Sequence, residues 1–574
     1  MATRLRARHR STIAASVLVF ALVASACSSS GSGGKTGSGN NTSTTPTTAG
    51  TPQSGGSVTF ALPAETSGGW CLPEGQLAIS GEQVARAIYD TLTVPDVNEK
   101  YVGMLAESVT PNADSTVWTI KLRSGIKFHD GSALDATVVK NNIDAYRGAY
   151  PARHPLLFSF VFGHYTSPSS PGYIKATKVI DPSTVEVDTV PWVAFPQYLY
   201  SSGRLGIMAQ AQLDDTKSCA SKLIGTGPFM IKDWKRNDHF TAVRNPNYWR
   251  KDKNGVQLPY LDSITFKPIV ESAQMVNGIQ AGNLDLALDD GAVNIVQYRQ
   301  FAKDGKINLT ESQKNPELSY TLFNVTKPPF DNINARLAVA YAVDRVNENK
   351  LRNKDVSPLA TGPFGPGVMG YLKTIPGTPS YDPVKAKDYV AKYTAATGQP
   401  LQFTYLSAGT DAETLKTIEL IKTYVEKVGI KMDVKAVDES QGINNVIAKQ
   451  FQAVGWRNHP GFDPDSEWVW WHCDNKVVPC DNPVNFNGFN DPVINHAMED
   501  ARATSDVATR TADYETVNKQ FSKMVYDGWG WWSDWTIPAA LKVHGIGNLA
   551  LPDGSAPFAG FTSGIDPAGI WVTK

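Results

Sequence analysis

The chain has 574 residues, a formal net charge of −1, 41% apolar and 19% charged residues. That length exceeds what one hydrophobic core supports, so two or more packed bodies are expected. The near-neutral balance argues against nucleic acid as the main partner, and beyond residue 26 no apolar run approaches the ~20 residues of a membrane span.

Arg4, Arg6, Arg8 and Arg10 precede an apolar stretch, Ser11 to Ala26, that ends in small residues. This is the layout of an export signal. Removing residues 1–26 deletes four Arg and no acid, leaving 50 basic against 55 acidic residues, about −5. Leu22-Val23-Ala24-Ser25-Ala26-Cys27 resembles a lipobox, which implies an acylated Cys27 at the mature N-terminus, with Ala24 standing where Leu is commonest. An ordinary cleaved signal and an uncleaved anchor are the alternatives. Residues 27–54 are almost wholly Gly, Ser, Thr, Asn and Pro, too polar to offset their ordering entropy, and are expected to be a flexible linker. Gly33-Gly34-Lys35-Thr36 is no phosphate loop, because Ser29 stands at its first Gly and no strand precedes it.

Gly55 to Leu62 reads as the first strand, and Pro63 to Cys71 as a loop. Trp118, Ile120 and Leu122 alternate with Thr119, Lys121 and Arg123, the period of a half-buried strand. Asp130-Gly131 supplies a turn; Asp135 stands at a helix N-cap, with Val139, Ile143 and Tyr146 following at helical spacing. Gly225 and Gly227 suit backbone angles that other residues resist, and Pro246 fixes a turn. Leu261 to Phe266 reads as a strand, Ala273 to Asn283 as a helix, and Asp331 as the cap of a later helix. Leu415, Ile418, Ile421, Val425 and Val428 form an amphipathic helix ended by Gly429, and Ile430 to Ala436 alternates as a strand. Strand–helix–strand succession of this kind implies a mixed α/β architecture. Phe451 to Trp456 reads as a strand, Tyr514 to Met524 lies on a long helix, and Ala539 to Val543 is the expected return strand.

The stretch Leu105 to Ala145 resembles the signature of the family 5 extracellular solute-binding proteins of bacterial ABC importers. Ile224 to Phe229, Arg244 to Trp249, Phe323 to Phe330, the Gly455-Trp456…Asp463-Pro464-Asp465 stretch and Asn485 to Phe489 resemble further elements of that family. The resemblance implies a two-lobed periplasmic-binding-protein-like α/β fold of class II type. It would have mixed sheets, a hinge, a cleft and an extra subdomain in lobe one. Lobe one would span 55–318 and resume over 540–574, with 319–539 as lobe two. The implied role is an extracytoplasmic lipoprotein that captures a solute, short peptides first, and hands it to a permease. Permease and ATPase would be separate chains; the protein would be a monomer held to the membrane's outer face through Cys27. A receptor for sugar, nickel chelate or haem, and an extracytoplasmic hydrolase, are the alternatives.

In peptide-binding members a carboxylate near Asp-Pro-Asp accepts the peptide ammonium, so Asp463 is the first candidate and Asp465 the second; both could instead cap a turn through Pro464. Arg457 could receive a ligand carboxylate bidentately and Trp456 could stack on the ligand, although a surface ion pair and core packing are the ordinary roles. The family's next element adds Asn485 and Phe486. The loop carrying Glu65 and Trp70 borders the family's cleft. With Cys27 acylated, Cys71, Cys219, Cys473 and Cys480 remain, an even set. Cys473 and Cys480 enclose six residues and are expected to pair, leaving Cys71 with Cys219. A metal site of His472, Cys473 and Cys480 is the competing reading. Neither HExxH nor GxSxG occurs, and no catalytic residue, metal or cofactor is expected.

Overall fold

Trp118, Ile120 and Leu122 are buried on one face of the strand Val117–Leu122, as their alternation predicts. The computed structural model describes residues 50–574 except 66–68, 76, 313–316, 459–460 and 559–563. The export signal, Cys27 and the linker up to residue 49 lie outside the described residues. Val117–Leu122 sits in a four-stranded antiparallel sheet with Ala106–Pro111, Thr184–Thr189 and Ile174–Asp181. Asp135 caps the helix Ala136–Arg147 by accepting from the Val138 N–H at 2.9 Å, and the helix buries Val139, Ile143 and Tyr146.

Two larger mixed sheets and two two-stranded ones hold the remaining described strands. The seven-stranded sheet runs Ile307–Glu311, Thr536–Ala540, Leu286–Ala287, Ser57–Leu62, Ser263–Pro268, His239–Arg244, Phe229–Lys235. Its Ser57–Leu62 strand is parallel to both neighbours, with Phe60 opposite Phe266. The five-stranded sheet runs Lys431–Val437, Gln402–Ala408, Ala453–Asn458, Glu317–Phe323, Asp527–Ser533. Gln402–Ala408 and Lys431–Val437 are parallel and joined through the helix Ala412–Glu426, because parallel neighbours need a crossover. The chain passes between these sheets twice, after Glu311 and again between Ser533 and Thr536.

Three local expectations shift. Asn332, not Asp331, caps the helix Ile333–Ala342, because Asn332 holds the extended backbone and accepts from the Asn334 N–H at 2.9 Å. The return strand forms earlier, at Thr536–Ala540, where it fills the gap between Ile307–Glu311 and Leu286–Ala287. Gly225 and Gly227 adopt no left-handed angle; they are needed because the chain crosses Ile88 so closely that a Cβ on Gly225 would fall 2.0 Å from its carbonyl oxygen. His129 fastens that turn: its Nδ1 accepts from the Gly225 N–H at 3.3 Å and its Nε2 donates to the Gly227 oxygen at 3.0 Å. Burial holds this imidazole neutral, with its pKa pulled down to about 4. Both expected disulfides are present, Cys71–Cys219 with Cα atoms 5.2 Å apart and Cys473–Cys480 at 4.9 Å.

Candidate functional site

A cavity of about 1480 Å³ opens between the two large sheets, above the roughly 300–1,000 Å³ of most small-molecule pockets. Alternation along the five-stranded sheet supplies one wall: Ser319 and Thr321, Tyr405 and Ser407, Trp529 and Trp531. Asp289, Asp290 and Gly291, just past Leu286–Ala287, come from the other side.

The helix Arg345–Asn353, capped by Asp344 through the Asn347 N–H at 3.0 Å, carries a charged face into this cavity. Positions 345, 348 and 352 lie three and four apart and therefore share that face. Arg345 Nη1 donates to the Ala360 and Trp529 carbonyls, each at 2.9 Å. The Arg352 guanidinium lies 4.7 Å from the centre of the Trp531 ring, and its Nε meets no acceptor among the described residues. Glu348 is 4% exposed, and burial pushes its carboxyl up to about 7 against the pull of Arg352 and Arg345. Glu413, in the first turn of Ala412–Glu426, is likewise raised by burial, and its Oε1 has no hydrogen-bond partner among the described residues.

Arg457 bridges the sheets. Its Nη1 is 2.9 Å from Asp290 and 3.6 Å from Glu317, and its Nη2 is 3.9 Å from Glu439. Three carboxyl groups thus share one guanidinium. Burial pushes Glu317 up to about 8, with Arg457 opposing, and Trp535 Nε1 donates to it at 3.1 Å.

The remaining candidates divide. Glu65, Trp456 and Arg457 line the large cavity; Trp456, Arg457 and Phe486 line a smaller one of about 240 Å³. Phe486 packs between Trp456 and Trp470, with ring centres 5.2 and 4.9 Å away. Trp70 is fully buried against Trp234 and Phe240 and lines neither cavity. Asn485 is also fully buried, donating to the Phe489 carbonyl at 2.8 Å.

Asp463 and Asp465, first and second for the ammonium role, line neither cavity and are already bound to arginines. Asp463 receives Arg510 Nη2 at 2.7 Å and Nη1 at 2.6 Å, and caps the turn Pro464–Glu467 through the Asp465 N–H. Asp465 is fully buried; Arg502 Nε donates to it at 2.8 Å, Arg502 Nη2 at 3.0 Å and Trp192 Nε1 at 2.8 Å. Arg502 in turn lies 3.5 Å from the Trp468 ring centre and 4.4 Å from that of Trp192. These carboxylates hold a loop in place. The metal reading of His472, Cys473 and Cys480 loses its sulfurs to the disulfide, and His472 instead bonds Glu499 at 2.9 Å.

Sequence reasoning missed Glu348, Arg352, Glu413 and Asp290. The signal for the first two was available: Arg345, Glu348 and Arg352 form a charged stripe on a short capped helix. Asp290 carried no signal, because its role depends on a residue of the other sheet.

The model of "Bacterial extracellular solute-binding proteins, family 5 Middle" matches residues 100–478. The glutathione-binding protein GsiB of Escherichia coli O6:K15:H31 is 30% identical over 381 residues, 66% of this chain and 69% of GsiB. In fold, the chain is similar to the periplasmic binding protein DppA of Helicobacter pylori, solved with the peptide STSA. That match has TM-score 0.77 and 19% identity over 91% of this chain and 99% of DppA. The binding protein AgaA of A. tumefaciens R10, solved with agropinic acid, gives TM-score 0.75 and 23% identity over 90% of this chain and 99% of AgaA. The matched family and these proteins are solute binders rather than enzymes.

Proposed function

The chain belongs to the family 5 bacterial extracellular solute-binding proteins, the receptors of ABC importers, and we propose that the solute it captures is a short peptide. The observation that carries this reading is the meeting of both charge signs in one large cavity, Arg352 beside Glu348 and Glu413 under the Trp529–Trp531 strand. A zwitterion needs an anion partner and a cation partner at fixed separation, and a site preorganised with both favours it over neutral solutes. Glu413 is assigned the ammonium and Arg352 the carboxylate, while Trp456 and Arg457 contact the ligand from the wall of the cavity. GsiB, named for glutathione, and DppA, solved with a tetrapeptide, support the assignment; AgaA, with agropinic acid, shows that the fold alone does not fix the ligand.

In this reading the segments 55–318 with 540–574, and 319–539, are the two moving lobes. Ligand touching both favours the closed population, which docks on a separate permease chain. Asp290 and Arg457 meet across that boundary and would form only on closure. Cys27, acylated, would tether the protein as a monomer to the outer face of the membrane. The test is to purify the full chain without denaturation, unfold it and identify what is released by mass. A ladder of short peptides is expected; a sugar or a metal chelate would overturn the peptide reading and leave the family membership intact.

A further inference from the structure

The smaller cavity lies behind the wall that Gly455, Trp456 and Arg457 form in the main one; Glu439 and Ile443 also line both. Beyond that wall its lining mixes apolar side chains, Leu77, Val161 and Val484, with Arg204, Asn458 and Ser466, drawn from distant parts of the chain. At about 240 Å³ it has room for roughly eight water molecules, or for one large side chain.

One group in it is unmatched. Gln197, on the short helix Phe195–Tyr198, is 5% exposed and lines the chamber, yet neither its Oε1 nor its Nε2 meets a partner among the described residues. Its backbone is fixed at both ends: the N–H donates to Ala194 at 3.1 Å and the C=O accepts from Tyr200 at 3.2 Å. Gly461 leaves the carboxamide its space, since a Cβ there would stand 3.1 Å from Gln197 Oε1 and 2.8 Å from Ser466 Cβ. The charged groups around the chamber are already paired. Arg204 is bound to Glu82 and to the Leu77 carbonyl, and Arg457 to Glu317 and Glu439. What is left unmatched among the described residues is a neutral amide, one donor edge and one acceptor edge, beside apolar side chains. Burying such a group without partners is unfavourable, and a group that presents the complementary pair recovers it.

We propose that this chamber is a specificity subsite that admits one apolar group of the ligand, whose adjoining primary carboxamide pairs in-plane with Gln197, each accepting one N–H from the other. The inference rests on the receptor reading for its place in transport, but not for its test.

The probes are phenylacetamide and its methyl-ketone isostere phenylacetone, titrated into ligand-free full chain by calorimetry. Phenylacetamide is expected to bind about tenfold or more tighter than the ketone, the worth of roughly one net buried hydrogen bond. Density from a crystal soaked with it should lie against Gln197. Gln197→Met should erase the amide preference. Equal affinity for amide and ketone, no amide binding, or density elsewhere would each overturn the proposal. If that variant does not fold, the wild-type affinity ratio and the soaked crystal still decide. Release of a sugar from the native protein would remove the peptide reading without touching the fragment ratio, so the two failures are separable.

Discussion

Arg502 and Arg457 are both arginines bound to carboxylates beside tryptophans, and they are opposites. Arg502 holds one carboxylate, Asp465, in a two-point grip inside a cage of Tyr173, Trp192, Tyr198 and Trp468. Its charges match one to one, and the partner is fully buried. Arg457 is half-buried and shared by Asp290, Glu317 and Glu439, of which Asp290 comes from beyond the other sheet. A buried pair with complete geometry stabilises one arrangement; removing one member strands the other charge. A half-exposed guanidinium shared by several carboxyls can exchange one of them for a group that arrives. Stoichiometry and exposure, more than the presence of an ion pair, separate scaffold from site.

Asp465→Asn is the strongest way to break the comparison. It should cost about 3–5 kcal/mol in urea unfolding by leaving Arg502 without its anion, while ligand affinity in the folded fraction stays put. A well-folded Asp465→Asn that no longer binds would put the cage in the site after all. Arg457→Gln should do the reverse: affinity for the native ligand, read by calorimetry, is expected to fall about tenfold, with a smaller stability loss of about 1–2 kcal/mol. Unchanged affinity would reduce Arg457 to a structural strap.

The pH dependence sharpens the contrast. Burial pushes Glu317, Glu82, Glu467 and Asp527 up to about 8 and Glu348 to about 7. Each folded carboxyl therefore holds its proton longer than the unfolded one. The stabilisation is complete below about pH 4 and is lost as pH rises through 7 to 8. Glu317→Gln, neutral at every pH, should flatten the decline and raise the unfolding free energy at pH 8 by about 1 kcal/mol. A decline as steep as in the parent would show that Glu317 is ionised throughout. Smallest is Asp463→Asn, where the pair with Arg510 is partly exposed: a stability loss of about 1 kcal/mol or less is expected, with the affinities for free and N-acetylated peptides unchanged.

The sequence carried the architecture well where physics is local. Alternation at Trp118, Ile120 and Leu122, the Asp135 cap, the helix ending before Gly429 and the pairing of four cysteines were all legible. The family, too, could be read from residues 105–145 and their companions. The site was only half legible. Trp456, Arg457, Phe486 and Glu65 do face cavities, but Asp463 and Asp465 were chosen by motif, and a motif cannot say which arginine is nearby. Arg510 and Arg502 lie 47 and 37 residues downstream, on helices whose packing puts them against the motif. Asp290 was invisible for the same reason, since its partner is 167 residues away. Charges that meet through tertiary packing leave no spacing to count.

The partition between the two cavities has an evolutionary consequence. Gly455, Trp456 and Arg457 face both spaces, so any replacement there is tried against two parts of a ligand at once and is rarely neutral to both. Lineages that inherit this wall would diversify through residues private to one space, Gln197 on one side and Arg352 or Glu413 on the other. Drift could then accumulate in one recognition surface while selection holds the other constant.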